Sequence, residues 1–296
     1  MTIRNVYYEI TSFHTLMVAD THVSKGKREN TERLRFYDNR EGNLEEISTL
    51  LRAGKVPKVE YHSFYVYVPK VRKVIFIDYW SKVVQRAIYD VLNPKICRTF
   101  IEHTYACVKG RGQLAAMEQL YTWMRETRTS GTEWYYYKFD VAKFFYRIDH
   151  EILMDICRKK IDDPRTVDLL GYYINNDAVP FGMPLDANQL TITEEQMLYD
   201  LGIPIGGGLS HMLGNMYLDP LDQFCKRVLG IKRYIRYMDD IIILDNDKER
   251  LKEYGRRMTQ FLEERLHLNF NNKTALRPVR VGCEFVGFVI YNDHVI

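Results

Sequence analysis

Residues 233–244 read Arg233-Tyr234-Ile235-Arg236-Tyr237-Met238-Asp239-Asp240-Ile241-Ile242-Ile243-Leu244, with two adjacent acids between two runs rich in Ile and Tyr. Runs of this composition are typical of β-strands. Only Met238-Asp239-Asp240 interrupts them, so the pattern predicts a tight hairpin with its carboxylates at the tip. A bare pair of acids is most often a solvated turn. Strand-like flanks on both sides favour a functional site over that interpretation.

A second acid follows an aromatic strand, in the stretch Trp134-Tyr135-Tyr136-Tyr137-Lys138-Phe139-Asp140-Val141-Ala142-Lys143-Phe144-Phe145. A carboxylate at a strand end lies on a rigid element with an open tip. If this strand and the hairpin are neighbours, Asp140 and Asp239 meet at one edge of the sheet. A few hard oxygen ligands, with room for water and phosphate, describe a magnesium site. Two such ions about 3.5–4 Å apart activate a 3′-hydroxyl and stabilise leaving pyrophosphate, so the pattern indicates nucleotidyl transfer.

Composition sets the broad class of the protein. The chain has 296 residues, of which 46% are hydrophobic and 27% charged, enough for one large domain or two moderate ones. A net charge of +3 does not by itself predict a nucleic-acid partner. The five cysteines are scattered, which argues against a disulfide framework or a zinc site. Without a signal peptide or a long apolar run, we expect a cytoplasmic protein and no membrane.

Three further segments are candidates for phosphate contacts. Residues 61–79 alternate as two strands around a basic turn containing Lys70 and Arg72, which suits either a triphosphate or simple solubility. Residues 104–112 form a basic glycine loop, and residues 202–210 place three glycines at the start of a helix, where backbone N–H groups are uncovered. We interpret Asp219 and Asp222, further along that helix, as surface or capping acids.

Capping residues predict the helix boundaries. We expect helices to begin near Ser12, Asn43, Asp149 and Asp247, and one helix to end at Pro94. Alternating helices and strands with antiparallel hairpins predict an α+β fold, an antiparallel sheet with helices on one face.

The order of these motifs resembles that of reverse transcriptases related to bacterial group II introns, closest to those of diversity-generating retroelements, over about residues 10–291. The matching segments are Thr11-Ser12-Phe13, Leu34-Arg35-Phe36, Val83-Val84-Gln85-Arg86-Ala87, residues 104–112, Asp140-x-x-x-Phe144-Phe145, Leu218-Asp219-Pro220-Leu221-Asp222, Arg236-Tyr237-Met238-Asp239-Asp240, Leu268-Asn269 and Lys273-Thr274. The resemblance implies a right-hand polymerase fold with fingers at about 1–130 and a palm at about 131–291. The thumb would be missing or truncated after residue 291.

The resemblance also implies catalytic roles. Asp140, Asp239 and the backbone of Val141 would bind two Mg²⁺ ions, for which Mn²⁺ is a substitute, and Asp240 would lie beside them. Lys273 would be the general acid that protonates pyrophosphate.

Substrate contacts follow in the same way. Phe145 would be the steric gate, a ring under the sugar that excludes a 2′-hydroxyl and favours dNTPs; the alternative is a plain core aromatic. The other nucleotide-binding residues would be Lys70, Arg72, Val141, Gly206 and Gly207. The nucleic-acid contacts would be Arg86, Lys109, Arg111 and, in a segment similar to the primer grip, Phe285 and Gly287.

The predicted function is therefore RNA-directed DNA polymerase. Its partners would be an RNA template, a DNA or RNA primer, dNTPs, and a small accessory protein or structured RNA that supplies thumb-like contacts. The biological system is expected to be a diversity-generating retroelement or a related bacterial system. The alternatives are a group II intron or phage-defence reverse transcriptase, and an inactive polymerase-like scaffold that binds RNA. A nucleotide cyclase on a similar palm would leave the basic segments unexplained.

Overall fold

The computed structural model describes residues 2–26, 30–67, 72–188, 191–205 and 207–296. Its helices are α1 (Tyr7–Ile10), α2 (Phe13–Ser24), α3 (Thr31–Tyr37), α4 (Arg40–Arg52), α5 (Tyr79–Ile96), α6 (Gln113–Glu126), α7 (Phe144–Arg147), α8 (His150–Lys160), α9 (Pro164–Ile174), α10 (Gly208–Gln223) and α11 (Lys248–Leu266). Its strands are β1 (Ile3–Arg4), β2 (Tyr61–Val66), β3 (Arg72–Ile77), β4 (Tyr135–Asp140), β5 (Ile161–Asp162), β6 (Arg233–Tyr237), β7 (Asp240–Asp245), β8 (Ala275–Pro278), β9 (Cys283–Phe285) and β10 (Phe288–Ile290). The predicted mixture of helix and sheet is confirmed. None of the described helices is both long and apolar enough to cross a membrane.

Side-chain caps confirm three predicted helix starts. The Ser12 hydroxyl accepts a hydrogen bond from the third residue of α2, and Asp149 caps α8 in the same way. Asp247 accepts two backbone N–H groups at the start of α11. Each cap satisfies donors that the first turn of a helix leaves unpaired.

Two predicted boundaries are wrong. Asn43 lies inside α4, and its side chain donates to the backbone carbonyl of Phe36 (2.7 Å) instead of capping a helix. Helix α5 continues past Pro94 to Ile96, and the N–H of its C-cap residue, Cys97, still bonds to the carbonyl of Asn93. A proline in the last turn removes one donor without ending the helix there.

Contacts divide the chain into two compact units. Unit 1 consists of Met1–Thr99 and Asp149–Leu213, and unit 2 consists of Phe100–Ile148 and Gly214–Ile296. Each unit is therefore built from two separate segments of the chain. The predicted division into fingers at 1–130 and palm at 131–291 is a division by function, and it stays a prediction.

Unit 1 is mainly helical. Helices α2 to α5 are joined through the buried carboxylate of Asp20, which accepts hydrogen bonds from the hydroxyls of Tyr37 (3.0 Å) and Tyr79 (2.7 Å) and pairs with Arg40 (2.6 Å). The hairpin predicted in residues 61–79 is confirmed as the antiparallel pair β2–β3. Strands β1 and β5 form a short parallel pair.

Unit 2 contains an antiparallel sheet with strand order β6-β7-β4-β8. Strand β4 is internal, so its two neighbours fix its position on both edges. A separate antiparallel pair, β9–β10, follows the sheet. Residues 279–281 form a 3₁₀ turn before β9.

Helices cover both faces of this sheet, which corrects the expectation of helices on one face. Tyr136 of β4 belongs to a core cluster with residues of α6 and of the β9–β10 hairpin. Tyr137 points to the opposite face. There, a Cβ at Gly255 of α11 would lie only 2.5 Å from the Tyr137 ring, so glycine allows the close approach of α11. Helices α6 and α11 therefore pack on opposite faces.

Candidate active site

One end of the unit 2 sheet brings three acids together. Asp140, the last residue of β4, is the register partner of Asp240, the first residue of β7. Asp239 precedes Asp240 in the β6–β7 loop, and its carbonyl accepts a hydrogen bond from Val141 N–H (3.4 Å). The predicted hairpin and the predicted meeting of these acids at one sheet edge are thus present in the structure.

The β6–β7 loop is a two-residue turn, Met238-Asp239, because Tyr237 and Asp240 still pair across the hairpin. Met238 has φ of 53°, whereas Asp239 has a negative φ. A positive φ at the first loop position is the arrangement of a type II′ turn, where glycine is usual. Met238 is consequently strained, and an additional interaction has to hold it.

That interaction comes from Arg236. Its guanidinium donates to the Met238 carbonyl (3.0 Å) and forms a two-point pair with Asp222, with distances of 2.8 and 2.6 Å. Asp222 also accepts the hydroxyls of Tyr234 (2.6 Å) and Thr104 (3.1 Å). All four of these side chains are buried. Burial disfavours the charge on Arg236, but Asp222 outweighs it and raises the pKa of the guanidinium.

The prediction that Asp219 and Asp222 are surface or capping acids is therefore wrong. Asp219 is buried and Asp222 is completely buried. Asp222 neutralises the arginine that holds the loop, whereas Asp219 accepts a hydrogen bond from Gln223 (2.9 Å).

The environment of Asp240 differs from that of the solvated turn that a bare pair of acids usually forms. Its Oδ2 lies 3.1 Å from Nζ of Lys138. Burial raises the pKa of Asp240 to about 6; Lys138 opposes this shift, while the charges of Asp140 and Asp239 add to it. The electrostatic effect of both neighbours indicates that the three carboxylates act on one another.

The donor set fits a divalent cation. Asp240 Oδ1 is buried and has no hydrogen-bond partner among the residues that the structure describes. Carboxylate oxygens are the ligands that Mg²⁺ and Mn²⁺ prefer, and Mg²⁺ usually retains several waters. In the described ranges, no group of three or more His, Cys, Asp or Glu side chains is gathered closely enough to hold a metal alone. Water and substrate would have to complete the coordination.

The segment after α11 is attached to the end of β4. The Asp140 carbonyl accepts Asn271 N–H (2.8 Å), and Val141 bridges to Phe270. In the turn that follows, Lys273 donates its backbone N–H to the Asn271 side chain (2.8 Å). The Lys273 side chain is exposed. The structure thus connects the turn of Lys273 with the strand of Asp140.

Phe145 lies in α7 just after the strand of Asp140, half-buried, with its ring centroid 5.1 Å from that of Phe144. Phe144 is buried and is therefore a core aromatic. A Cβ at Gly214 of α10 would lie 3.1 Å from the Phe144 ring and 3.4 Å from the Phe145 ring. Gly214, which the sequence did not single out, leaves space for both rings.

Two predicted binding residues meet within unit 1. Arg86 and Gly207 line one cavity of about 350 Å³, together with Lys25 and Lys82. The Arg86 guanidinium pairs with Asp90 (2.8 Å). Other predicted contacts lie outside the description: Lys70 and Gly206 are not among the described residues, and of Arg72 only the backbone, in β3, is described.

The remaining predicted nucleic-acid contacts are in unit 2. Lys109 is exposed. Arg111 uses its guanidinium to bond the carbonyls of Ile101 and Thr104 (3.1 and 3.0 Å), so it stabilises its own loop. Phe285 is completely buried, which leaves its ring no access to a nucleic acid. Any contact from this segment would come from the turn that follows.

That turn, Val286-Gly287, joins β9 to β10, with φ of 47° and 88°. Positive φ at both loop positions is the arrangement of a type I′ hairpin. No atom lies within 4 Å of a Cβ placed at Gly287, so one side of the turn is open.

Sequence reasoning missed Lys138, Arg236 and Asp222. A period-two pattern could have found Lys138, since it shares a strand face with Asp140. Arg236 stands inside an apolar strand run, and Asp222 lies among the apolar positions of α10. A charged residue at a core position requires a buried partner, so these two positions could have indicated an ion pair.

The model of the reverse transcriptase (RNA-dependent DNA polymerase) family matches residues 56–290. Because this match covers most of the chain, the chain belongs to the reverse transcriptase family.

One curated relative is Protein YkfC of Escherichia coli (strain K12). The two sequences are 23% identical over 259 residues, which is 75% of this chain and 65% of that protein. The chain thus spans just under two thirds of the length of this relative.

Proposed function

We propose that the chain is an RNA-directed DNA polymerase that adds dNTPs to the 3′-hydroxyl of a primer on an RNA template. The observation that carries this proposal is the meeting of Asp140, Asp239 and Asp240 at one end of the unit 2 sheet. Membership of the reverse transcriptase family supports the same activity.

Asp140, Asp239 and the Val141 carbonyl would hold two divalent cations, Mg²⁺ or Mn²⁺. When bound, such ions lower the pKa of the primer hydroxyl and neutralise charge on the phosphates. The chain supplies the fixed carboxylates, and the Arg236 network keeps Asp239 in place. Asp240 would lie beside these ligands: its Oδ2 pairs with Lys138 and adjusts the charge of the site, and its Oδ1 would be a further oxygen donor.

Other residues of unit 2 would select and process the nucleotide. The Phe145 ring would exclude a 2′-hydroxyl, and the exposed Lys273 ammonium would donate a proton to pyrophosphate. The primer would lie against the β9–β10 turn, through its backbone and Gly287 rather than through Phe285. Lys109 remains available to a template, whereas Arg111 would act by holding the loop. In unit 1, Arg86, Lys70, Arg72, Gly206 and Gly207 would contact phosphates.

The partners would be an RNA template, a DNA or RNA primer and dNTPs, with an accessory protein or structured RNA supplying thumb-like contacts. The closest motif resemblance favours a diversity-generating retroelement over intron mobility or phage defence. Fingers at 1–130 and palm at 131–291 remain the functional division that we propose.

Primer extension on an RNA template tests the activity. Asp239→Asn should reduce Mg²⁺-dependent dNTP addition by roughly a thousandfold or more, because a transition-state ligand is lost. Asp245→Asn, at the other end of the same hairpin, is the matched control and should remain active. Full activity in Asp239→Asn would refute the proposal. Salt-sensitive RNA binding without extension by the wild type would instead support the scaffold alternative.

The steric gate is tested by the ratio of dNTP to ribonucleotide incorporation. Phe145→Ala should reduce this discrimination by roughly tenfold or more, because the ring that fills the space below the sugar is removed. The ratio is internally controlled, since a general loss of activity affects both substrates alike. An unchanged ratio would make Phe145 a core aromatic.

A further inference from the structure

Alternate residues of β4 contact the segment that leads into the β9–β10 turn. Tyr136, Lys138 and Asp140 lie on one face of the strand, since side chains alternate along it. The Tyr136 hydroxyl donates to the carbonyl of Gly282 (2.9 Å), and Lys138 Nζ donates to the carbonyl of Glu284 (2.6 Å). The two contacts advance by two residues on both segments.

The next position in this series is Asp140 on β4 and Val286 in the turn. Strand β9 rises by about 3.3 Å per residue and ends at Phe285, so the turn begins two residues, or about 7 Å, beyond the Glu284 contact of Lys138. The series therefore directs the Val286-Gly287 turn toward the end of β4 where the acids lie. In this series of contacts between β4 and the segment of β9, Lys138 is the residue nearest to that end of β4.

Lys138 also contacts one of the acids, Asp240. The same ammonium that donates to Glu284 lies 3.1 Å from Asp240 Oδ2. One group thus joins the β9–β10 hairpin to the Asp240 carboxylate of the β6–β7 hairpin. An ammonium has three donors, so it makes both contacts at once.

We propose that Lys138 is a positioning residue of the polymerase, which fixes the Val286-Gly287 turn relative to Asp140 and Asp240 and so sets where the primer terminus lies. The inference rests on the proposed polymerase function. The alternative is a purely structural lysine, which would stabilise the fold without affecting primer placement. The experiment has to distinguish this role from the positioning role.

The experiment compares Lys138→Met with Tyr136→Phe. Each variant removes one hydrogen bond between β4 and the segment of β9, but only Lys138 also contacts an acid. Hydrogen exchange of residues 283–291 reports the hairpin in the metal-free protein. Steady-state primer extension, with kcat and the KM for primer–template measured separately, reports placement of the primer.

Lys138→Met should accelerate exchange in residues 283–291 and lower kcat/KM for primer–template by roughly ten- to a hundredfold, as a misplaced reactant does. Lys138→Arg should recover part of this loss, because a guanidinium keeps the charge and the donors. Tyr136→Phe should leave extension within about twofold of the wild type, since a single neutral hydrogen bond is lost away from the acids.

Unchanged exchange and unchanged kcat/KM in Lys138→Met would overturn the inference. Equal losses of activity in Lys138→Met and Tyr136→Phe would also overturn it, because the effect would then be one of stability alone. If the wild type extends no primer, the proposed function fails, and the exchange comparison alone decides whether Lys138 fixes the hairpin.

Discussion

Two hairpins of unit 2 differ in the burial of the side chain that fixes each loop. Both have two-residue loops that contain positive φ, at Met238 of Met238-Asp239 in β6–β7 and at both residues of Val286-Gly287 in β9–β10. The first is fixed by Arg236, a completely buried arginine with a completely buried partner. The second is fixed by Lys138, whose side chain is 25% exposed.

The difference in burial implies a difference in mobility. A buried ion network cannot open without leaving a charge unpaired in a medium of low dielectric constant, so it holds one geometry. A partly exposed lysine exchanges its partners for water at little cost. We infer that the loop carrying the acids is rigid, whereas the β9–β10 turn can adjust to what binds against it.

The largest effect is expected from Arg236→Gln, which removes the cation of the buried network at the β6–β7 hairpin. Asp222 is then a buried carboxylate without a cation, and the free energy of unfolding should fall by about 3–5 kcal/mol. Adding Asp222→Asn removes the stranded charge and should restore part of that loss. Urea unfolding measures both effects, and a loss below about 1 kcal/mol in the single variant would contradict the role of the network.

A smaller effect is expected at Asp240, and it depends on pH. Burial raises the pKa of this carboxyl from 3.8 to about 6 in the folded protein. A raised pKa means that the folded state binds the proton more tightly, so stability is lost as pH rises from about 4 to about 6. Asp240→Asn should therefore be more stable than the wild type by about 2–3 kcal/mol at pH 7.5 and equally stable near pH 4.

Urea unfolding at both pH values, with metal removed by chelation, checks this expectation. The difference between variant and wild type cancels the titration of other groups. An advantage of Asp240→Asn that does not change with pH would contradict it.

The smallest effect is expected for Gly287→Ala, which raises the conformational free energy of the open β9–β10 turn. With φ of 88° and no atom near the added Cβ, the cost is conformational only, about 1 kcal/mol. Gly230→Ala, with φ of 65° and equally open, is the matched control in stability. Thermal unfolding should give similar losses, whereas only Gly287→Ala should weaken primer extension. Equal activities of the two variants would show that the β9–β10 turn does not take part in primer extension.

Local patterns were sufficient for much of this unit. The strand flanks of Asp239 and Asp240 predicted the β6–β7 hairpin, and Asp149 and Asp247 marked helix starts correctly, because caps and turns depend on adjacent residues. The end of β4 at Asp140 followed from the residue pattern, whereas β7 begins at Asp240, which the pattern had placed in the loop. Their pairing, which places Asp140 opposite Asp240, was conditional in the sequence and required the structure.

What failed depended on contacts between distant segments. Asp222 resembles a surface acid until Arg236 and Tyr234 are placed against it, and Phe285 resembles a contact residue until its ring is found in the core. Asn43 has the identity of a cap, yet its side chain bonds to a residue of the preceding helix. Tertiary partners decided each of these cases, and no local periodicity encodes them.

The internal position of β4 has a consequence for biosynthesis. Both of its neighbours, β7 and β8, are translated later, and at about 5–20 residues per second the end of β7 leaves the ribosome roughly 5–20 s after Asp140. During that interval an aromatic strand has two unpaired edges, the condition that favours aggregation. The yield of folded enzyme thus depends on the speed of translation between residues 140 and 245 and on the chaperones that attend the nascent chain.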